Sequence, residues 1–213
     1  NGSGKSTLLG AIAGIVTVSS GTISVLGGPP AQARPRVSYV LQSTKVNESA
    51  PITVAEVVTM GRYAGRGLLG RLTASDRAAV DGALARMDLD ALAGRHLHEL
   101  SGGERQRVFV AQGLAQEHDI LMLDEPLTGL DLLSAETIDA VIHDEHTEGR
   151  SVIITTHDLA EAGAADHVLL LAGRVVAAGP PGQVLVADLL ADAYGGSLLH
   201  VEEARTFLDD PAH

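Results

Sequence analysis

The seven residues that open this chain, Asn1-Gly2-Ser3-Gly4-Lys5-Ser6-Thr7, constrain its fold more than any other stretch. Gly4-Lys5-Ser6 are the last three positions of the phosphate-loop pattern G-x-x-x-x-G-K-[ST], whose first glycine falls two positions before Asn1. Small residues here let backbone N–H groups curl around phosphate oxygens with no Cβ in the way. The pattern predicts a helix over roughly Lys5–Ile15, with its N-terminal dipole and free N–H groups aimed at the same anion. Lys5 is placed for the β and γ phosphates, the Ser6 hydroxyl for Mg²⁺, and Thr7 for a second hydroxyl contact. A Gly/Ser-rich start ahead of an ordinary helix reads the same over these seven residues. The rest of the chain has to decide.

Composition narrows the choice. There are 15 Lys and Arg against 27 Asp and Glu, a formal charge of −12, which argues against a general nucleic-acid binder. The 213 residues suffice for one domain, or for a core with a modest insertion. No apolar run approaches the roughly 18 to 20 residues needed to span a bilayer. The absence of cysteine excludes disulfides, thiolate chemistry and cysteine-based metal sites. With only three Tyr, two Phe and no Trp, base-stacking platforms are nearly absent.

A second signal is the run Ile120-Leu121-Met122-Leu123 ending in Asp124-Glu125. A short apolar run bounded by charge reads as a buried strand of a parallel sheet, and its C-terminal end is where open α/β sheets bind ligands. Asp124 suits a magnesium site, and Glu125 suits a general base acting on water. The third signal is Leu100-Ser101-Gly102-Gly103-Glu104-Arg105-Gln106-Arg107. Ser101 is a good N-cap and Glu104, three residues on, completes a capping box. Two glycines in a first helical turn cost roughly 1 kcal/mol each relative to Ala, so bare backbone reads as a second phosphate-binding surface.

Together, Lys5-Ser6, Leu100–Arg107 and Asp124-Glu125 resemble the ATP-binding subunits of ABC transporters, whose signature is the Leu-Ser-Gly-Gly stretch. Gln42 after Val37-Ser38-Tyr39-Val40-Leu41 is similar to the family's Q-loop glutamine, Gly129-Leu130-Asp131 to its D-loop, and His157 after Val152-Ile153-Ile154-Thr155 to its switch histidine. The resemblance covers nearly the whole chain. It implies an α/β fold of the P-loop NTPase type: a RecA-like core with a mainly parallel sheet and an inserted α-helical subdomain. It further implies an ATPase with ATP and Mg²⁺ as cofactors, working as a head-to-tail dimer with a second ATPase subunit. Residues Asn1 to Thr7 and Gln42 would bind nucleotide in cis, and Ser101, Gly102, Gly103 and Glu104 would contact it in trans. Ser6, Gln42 and Asp124 would serve Mg²⁺, and Lys5, Glu125 and His157 catalysis. Asp131 would couple the two sites. A membrane permease, an extracytoplasmic metal-binding protein and a place on the cytoplasmic face of the membrane complete the picture, with no nucleic acid.

The expected layout is a core of residues 1–45 and 117–180, a helical subdomain over 46–116 that carries the signature, and a C-terminal helix and tail over 181–213. Strands are expected near Thr22–Leu26, Arg36–Gln42, Ile120–Leu123 and Ser151–Thr155. Thr53 with Glu56, and Thr73 or Ser75, cap helices of the subdomain. The four glycines between Gly61 and Gly70 predict a loop. A helix near Ser134–His146, a hairpin of Asp166–Leu171 with Arg174–Ala178, and a helix over Gln183–Tyr194 follow. Family members carry upstream strands and an adenine-stacking aromatic residue, so the chain is expected to be truncated within the phosphate loop, with weak ATP binding and an exposed central sheet edge.

Cargo rests on resemblance alone. Met60-Gly61-Arg62-Tyr63, Arg71-Leu72-Thr73 with Asp76-Arg77, Pro126 to Asp131 and Ala193-Tyr194-Gly195-Gly196 are similar to the zinc and manganese uptake branch. The ending Asp209-Asp210-Pro211-Ala212-His213 is similar to actinobacterial-type zinc importers. The competing branch imports ferric siderophores, haem or cobalamin. Paired histidines, His143 with His146 or His96 with His98, read as surface residues rather than metal ligands, the first pair within a solvated charged stretch. ABC ATPases of DNA repair or translation carry long coiled-coil insertions or duplicated cassettes, and neither fits. A regulatory cassette would lack Glu125 or His157.

Overall fold

The computed structural model describes residues 2–42, 51–63, 71–195, 201–202 and 205–206. Two units form, one of Leu9–Ile154 and one of Asn1–Leu8 with Thr155–His213.

The larger unit is built on strands β1 (Val37–Val40), β2 (Ile120–Asp124) and β3 (Ser151–Thr155), in the order β1-β2-β3. β1 and β2 run parallel, with Val37 opposite Ile120 and Val40 opposite Leu123. Every residue of β2 is buried, which explains why it reads as an unbroken apolar run rather than an alternating one. Period-two alternation still sorts its side chains. Ile120 and Met122 join Val37 in a cluster with Leu9 and Ala13, while Leu121 and Leu123 join Val40 in a second cluster.

That second cluster is formed by helices α3 (Val54–Tyr63), α4 (Ala74–Arg86), α5 (Gly102–Ala115) and α6 (Leu132–Thr147). The starts of α3, α4 and α5 are capped as the sequence predicts, whereas α6 begins at Leu132, ahead of the expected Ser134, with Asp131 as its N-cap. Thr53 N donates to Glu56 Oε2 at 2.7 Å, and Thr73 rather than Ser75 caps α4, exchanging hydrogen bonds with Asp76. α3 crosses α5 where Gly61 meets the Gln112 carbonyl, an approach any Cβ would block. Beside it Arg62, 6% exposed, donates to Asp76 Oδ1 at 2.9 Å, to the Ala115 carbonyl at 2.7 Å and to Glu117 Oε1 at 3.1 Å. Asp76 is fully buried, so three helices meet on one ion pair.

Several expected boundaries move. Helix α1 covers Lys5–Ile12, not Lys5–Ile15, and a short α2 covers Pro30–Ala33. Helix α1 is closed by a Schellman motif: Ile15 N donates to Gly10 O and Gly14 N to Ala11 O, with Gly14 at φ +68°. The strand expected over Thr22–Leu26 does not form. A tight turn replaces it, with Leu26 and Gly27 at positive φ and Val25 and Gly28 exchanging backbone hydrogen bonds. Gly61, Arg62 and Tyr63 continue α3, and the remainder of the expected Gly61–Gly70 loop lies outside the described residues.

In the smaller unit, α7 (Leu159–Gly163) precedes an antiparallel hairpin of β4 (Val168–Leu171) and β5 (Val175–Gly179), turning at Ala172-Gly173 as predicted. The single helix expected over Gln183–Tyr194 is two, α8 (Pro181–Val184) and α9 (Ala187–Tyr194), because Val186 is extended. Leu170, Val184 and Leu190 form the core of this unit. Among the described residues no helix is long and apolar enough to cross a membrane.

Candidate functional site

The glycine loop lies in the smaller unit. Gly2 and Gly4 adopt φ +95° and +97°, a conformation that L side chains rarely hold. Leu8 N donates to Gly4 O at 2.9 Å to start α1, so Lys5 and Ser6 are its first two residues. Ser3 O accepts from Gly173 N at 3.1 Å, anchoring the loop to the β4-β5 turn. Asn1 lies outside the described residues. His157 belongs to the same unit and is exposed, two residues past β3. A local network fixes its turn: Asp158 N donates to Thr156 Oγ1 at 2.9 Å, and Asp158 Oδ1 caps α7 through Ala160 N at 2.6 Å.

The larger unit brings Gln42, Asp124 and Glu125 to the C-terminal ends of β1 and β2. Asp124 ends β2 at 5% exposure, and the Tyr39 hydroxyl donates to its Oδ2 at 3.4 Å. Glu125 follows at φ +49°, a left-handed conformation that costs a non-glycine residue on the order of 1–3 kcal/mol. Its Oε2 accepts from Gln42 Nε2 at 2.6 Å. A cavity of about 200 Å³ is lined by Gln42, Glu125, Thr128, Gly129, Gly102 and Gln106, so residues that follow β1 and β2 share a wall with the first turns of α5.

At the signature, Ser101 and Glu104 form the predicted capping box: Ser101 N donates to Glu104 Oε2 at 2.7 Å and Glu104 N to Ser101 Oγ at 3.2 Å. These bonds hold the Glu104 carboxyl below its usual range. The two glycines differ. Gly102 is exposed with open space where a Cβ would sit, whereas a Cβ on Gly103 would strike the Asp131 carboxylate and the Ser134 hydroxyl. Asp131 is the N-cap of α6, accepting from Ser134 N at 2.9 Å and Ser134 Oγ at 2.8 Å, which lowers its pKa.

Sequence reading missed several residues. Tyr39 carries no signal of its contact with Asp124, because nothing in a strand sequence tells which side chain reaches the neighbouring strand's carboxylate. Glu145 needs a correction: His143 and His146 are exposed, but Glu145 between them is fully buried rather than solvated. It accepts from Arg86 at 2.5 Å and Arg150 at 2.8 Å and meets His118 Nε2 at 2.8 Å. Burial alone would raise its pKa, but those three partners pull it down to about 2.

A glycine loop feeding a helix, and a buried parallel strand closing on two carboxylates, define a P-loop nucleoside triphosphatase. Residues 1–128 match the family model described as ABC transporter, and the chain belongs to that family as an ATP-binding, ATP-hydrolysing subunit. The manganese transport system ATP-binding protein MntB of Bacillus subtilis is 38% identical over 211 residues, 99% of this chain and 82% of that protein. The zinc transport system ATP-binding protein TroB of Treponema pallidum is 37% identical, covering 93% of this chain and 75% of that one. The chelated iron transport system membrane protein YfeB of Yersinia pestis is also 37% identical, covering 99% and 72%. Among solved structures, a metal-chelate type ABC transporter in an inward-facing conformation superposes with a TM-score of 0.78 at 28% identity, over 91% of this chain and 74% of that chain.

Proposed function

We propose that the chain is the ATPase of an importer for a divalent metal ion, zinc or manganese. The observation that carries this reading is the identity of 37–38% to the manganese and zinc ATP-binding proteins across at least 93% of the chain. Chelated iron is the second reading, favoured by the likeness to YfeB. The cassette works on the cytoplasmic face of the membrane, as a head-to-tail dimer docked on a permease that an extracytoplasmic metal-binding protein supplies. The exposed apolar pair Leu132 and Leu133, directly after Asp131, supports a partner surface there.

Within each unit the residues suit their proposed tasks. Lys5 and the N–H groups of the glycine loop bind the β and γ phosphates, and His157 holds the γ-phosphate. Gln42 and Asp124 in the larger unit, and Ser6 in the smaller, each offer an oxygen donor, the kind of ligand that a hard cation such as Mg²⁺ prefers. When bound, Mg²⁺ supplies positive charge against the phosphate oxygens. Glu125 takes a proton from the attacking water, and its bond to Gln42 keeps that carboxylate in place. Ser101, Gly102, Gly103 and Glu104 meet the partner's nucleotide, and Asp131 couples the two sites.

Glu125→Gln is expected to keep ATP binding and lose turnover by at least a hundredfold. Hydrolysis at the unmodified rate refutes its role as base. Lys5→Ala is expected to lose ATP binding, and unchanged affinity would refute the phosphate-loop reading. Deletion of the gene is expected to cause a growth defect reversed by added zinc or manganese. Rescue by iron alone selects the second reading.

A further inference from the structure

The register of β1 on β2 fixes which side chains can touch Asp124. Side chains alternate between sheet faces along a strand. Tyr39 lies opposite Met122, and Asp124 is two residues further along β2, so all three share one face. That diagonal is within reach of a tyrosine, and the hydroxyl donates to Asp124 Oδ2 at 3.4 Å. The Tyr39 side chain, partly buried, packs against the cluster that contains Leu9, Val37 and Met122.

We propose that Tyr39 is a positioning residue for the magnesium-bearing carboxylate, holding Asp124 in one orientation so that it meets the metal–nucleotide complex without rearranging. This rests on the reading of Asp124 as a magnesium donor. Tyr39 touches neither phosphate nor water in this role. It acts through Asp124.

The test is Tyr39→Phe, which keeps the ring and removes only the hydroxyl. Binding of a non-hydrolysable ATP analogue is measured as Mg²⁺ is raised, with no turnover required. The expected result is a three- to tenfold rise in half-saturating Mg²⁺, with analogue binding in EDTA unchanged. The thermal midpoint should move by no more than about 4 °C. In an Asp124→Asn background the same substitution should add less than a twofold effect, because the partner is gone. An unchanged Mg²⁺ requirement in Tyr39→Phe, or an equal effect with Asp124→Asn present, overturns the proposal. Loss of affinity in EDTA as great as in Mg²⁺ also overturns it, since a simple packing role would produce that. If the unmodified protein binds the analogue equally with and without Mg²⁺, the magnesium reading of Asp124 fails first, and that outcome is distinct from the others.

Discussion

Gly102 and Gly103 are neighbours with opposite surroundings, and the difference separates two jobs that a glycine pair can do. Gly103 sits against the side chains of Asp131 and Ser134, so its missing Cβ is a packing requirement between the starts of α5 and α6. Gly102 has open space around it, and packing gives no reason for a bare backbone there. Gly103→Ala is therefore expected to destabilise the fold by about 1–3 kcal/mol, as overpacking does. Gly102→Ala is expected to alter stability by less than about 1 kcal/mol while lowering ATP turnover. Denaturant unfolding and steady-state hydrolysis of the two variants check both halves, and equal destabilisation would refute the distinction. The capping-box logic was legible from Ser101 and Glu104 because it is a matter of spacing three apart. The separate reasons for the glycines were not, since Asp131 is far away in sequence.

At the scale of elements, buried ions join helices that sequence patterns treat as independent. Arg62 in the last turn of α3 reaches Asp76 in the first turn of α4 and the final carbonyl of α5. Removing Arg62 takes away the cation that faces the buried Asp76 carboxylate. Arg62→Met is expected to cost about 3–5 kcal/mol, and Arg62→Met with Asp76→Leu much less than the sum of the two single changes. A double-mutant cycle by urea unfolding tests this, and additive single effects would exclude a coupled pair. Glu145 makes a second knot, joining α6 to Arg86 of α4 and to His118 before β2. Its carboxyl lies near 2 in the fold, against about 4.5 ordinarily. A depressed carboxyl stabilises the fold above the unfolded pKa and loses that contribution as pH falls through the folded one. The loss is expected between about pH 4.5 and pH 2, at up to about 3 kcal/mol. Unfolding midpoints measured down that range should fall more steeply for the natural chain than for Glu145→Gln. Identical slopes would contradict the assignment.

For the whole molecule, what could be read from the sequence was what depends on neighbours along the chain. β2 and its carboxylates, the caps at Thr53, Thr73 and Ser101, and the β4-β5 turn all follow from local pattern. Tyr39 on Asp124, Arg62 on Asp76 and Glu145 with its partners depend on register and helix packing, which no window of residues contains. The failed strand over Thr22–Leu26 marks the same limit from the other side, because its apolar residues were right but Leu26-Gly27 folds the segment back. One consequence concerns transplantation. Gly61, Arg62 and Asp76 lie in stretches that resemble the metal-uptake branch, yet each braces one helix on another. A chimaera carrying these positions from a cassette of different cargo is expected to show altered melting temperature and yield while the host transporter's choice of ion, followed by isotope uptake, stays the same. Uptake of a different ion by such a chimaera would show instead that these helix contacts bear on selectivity.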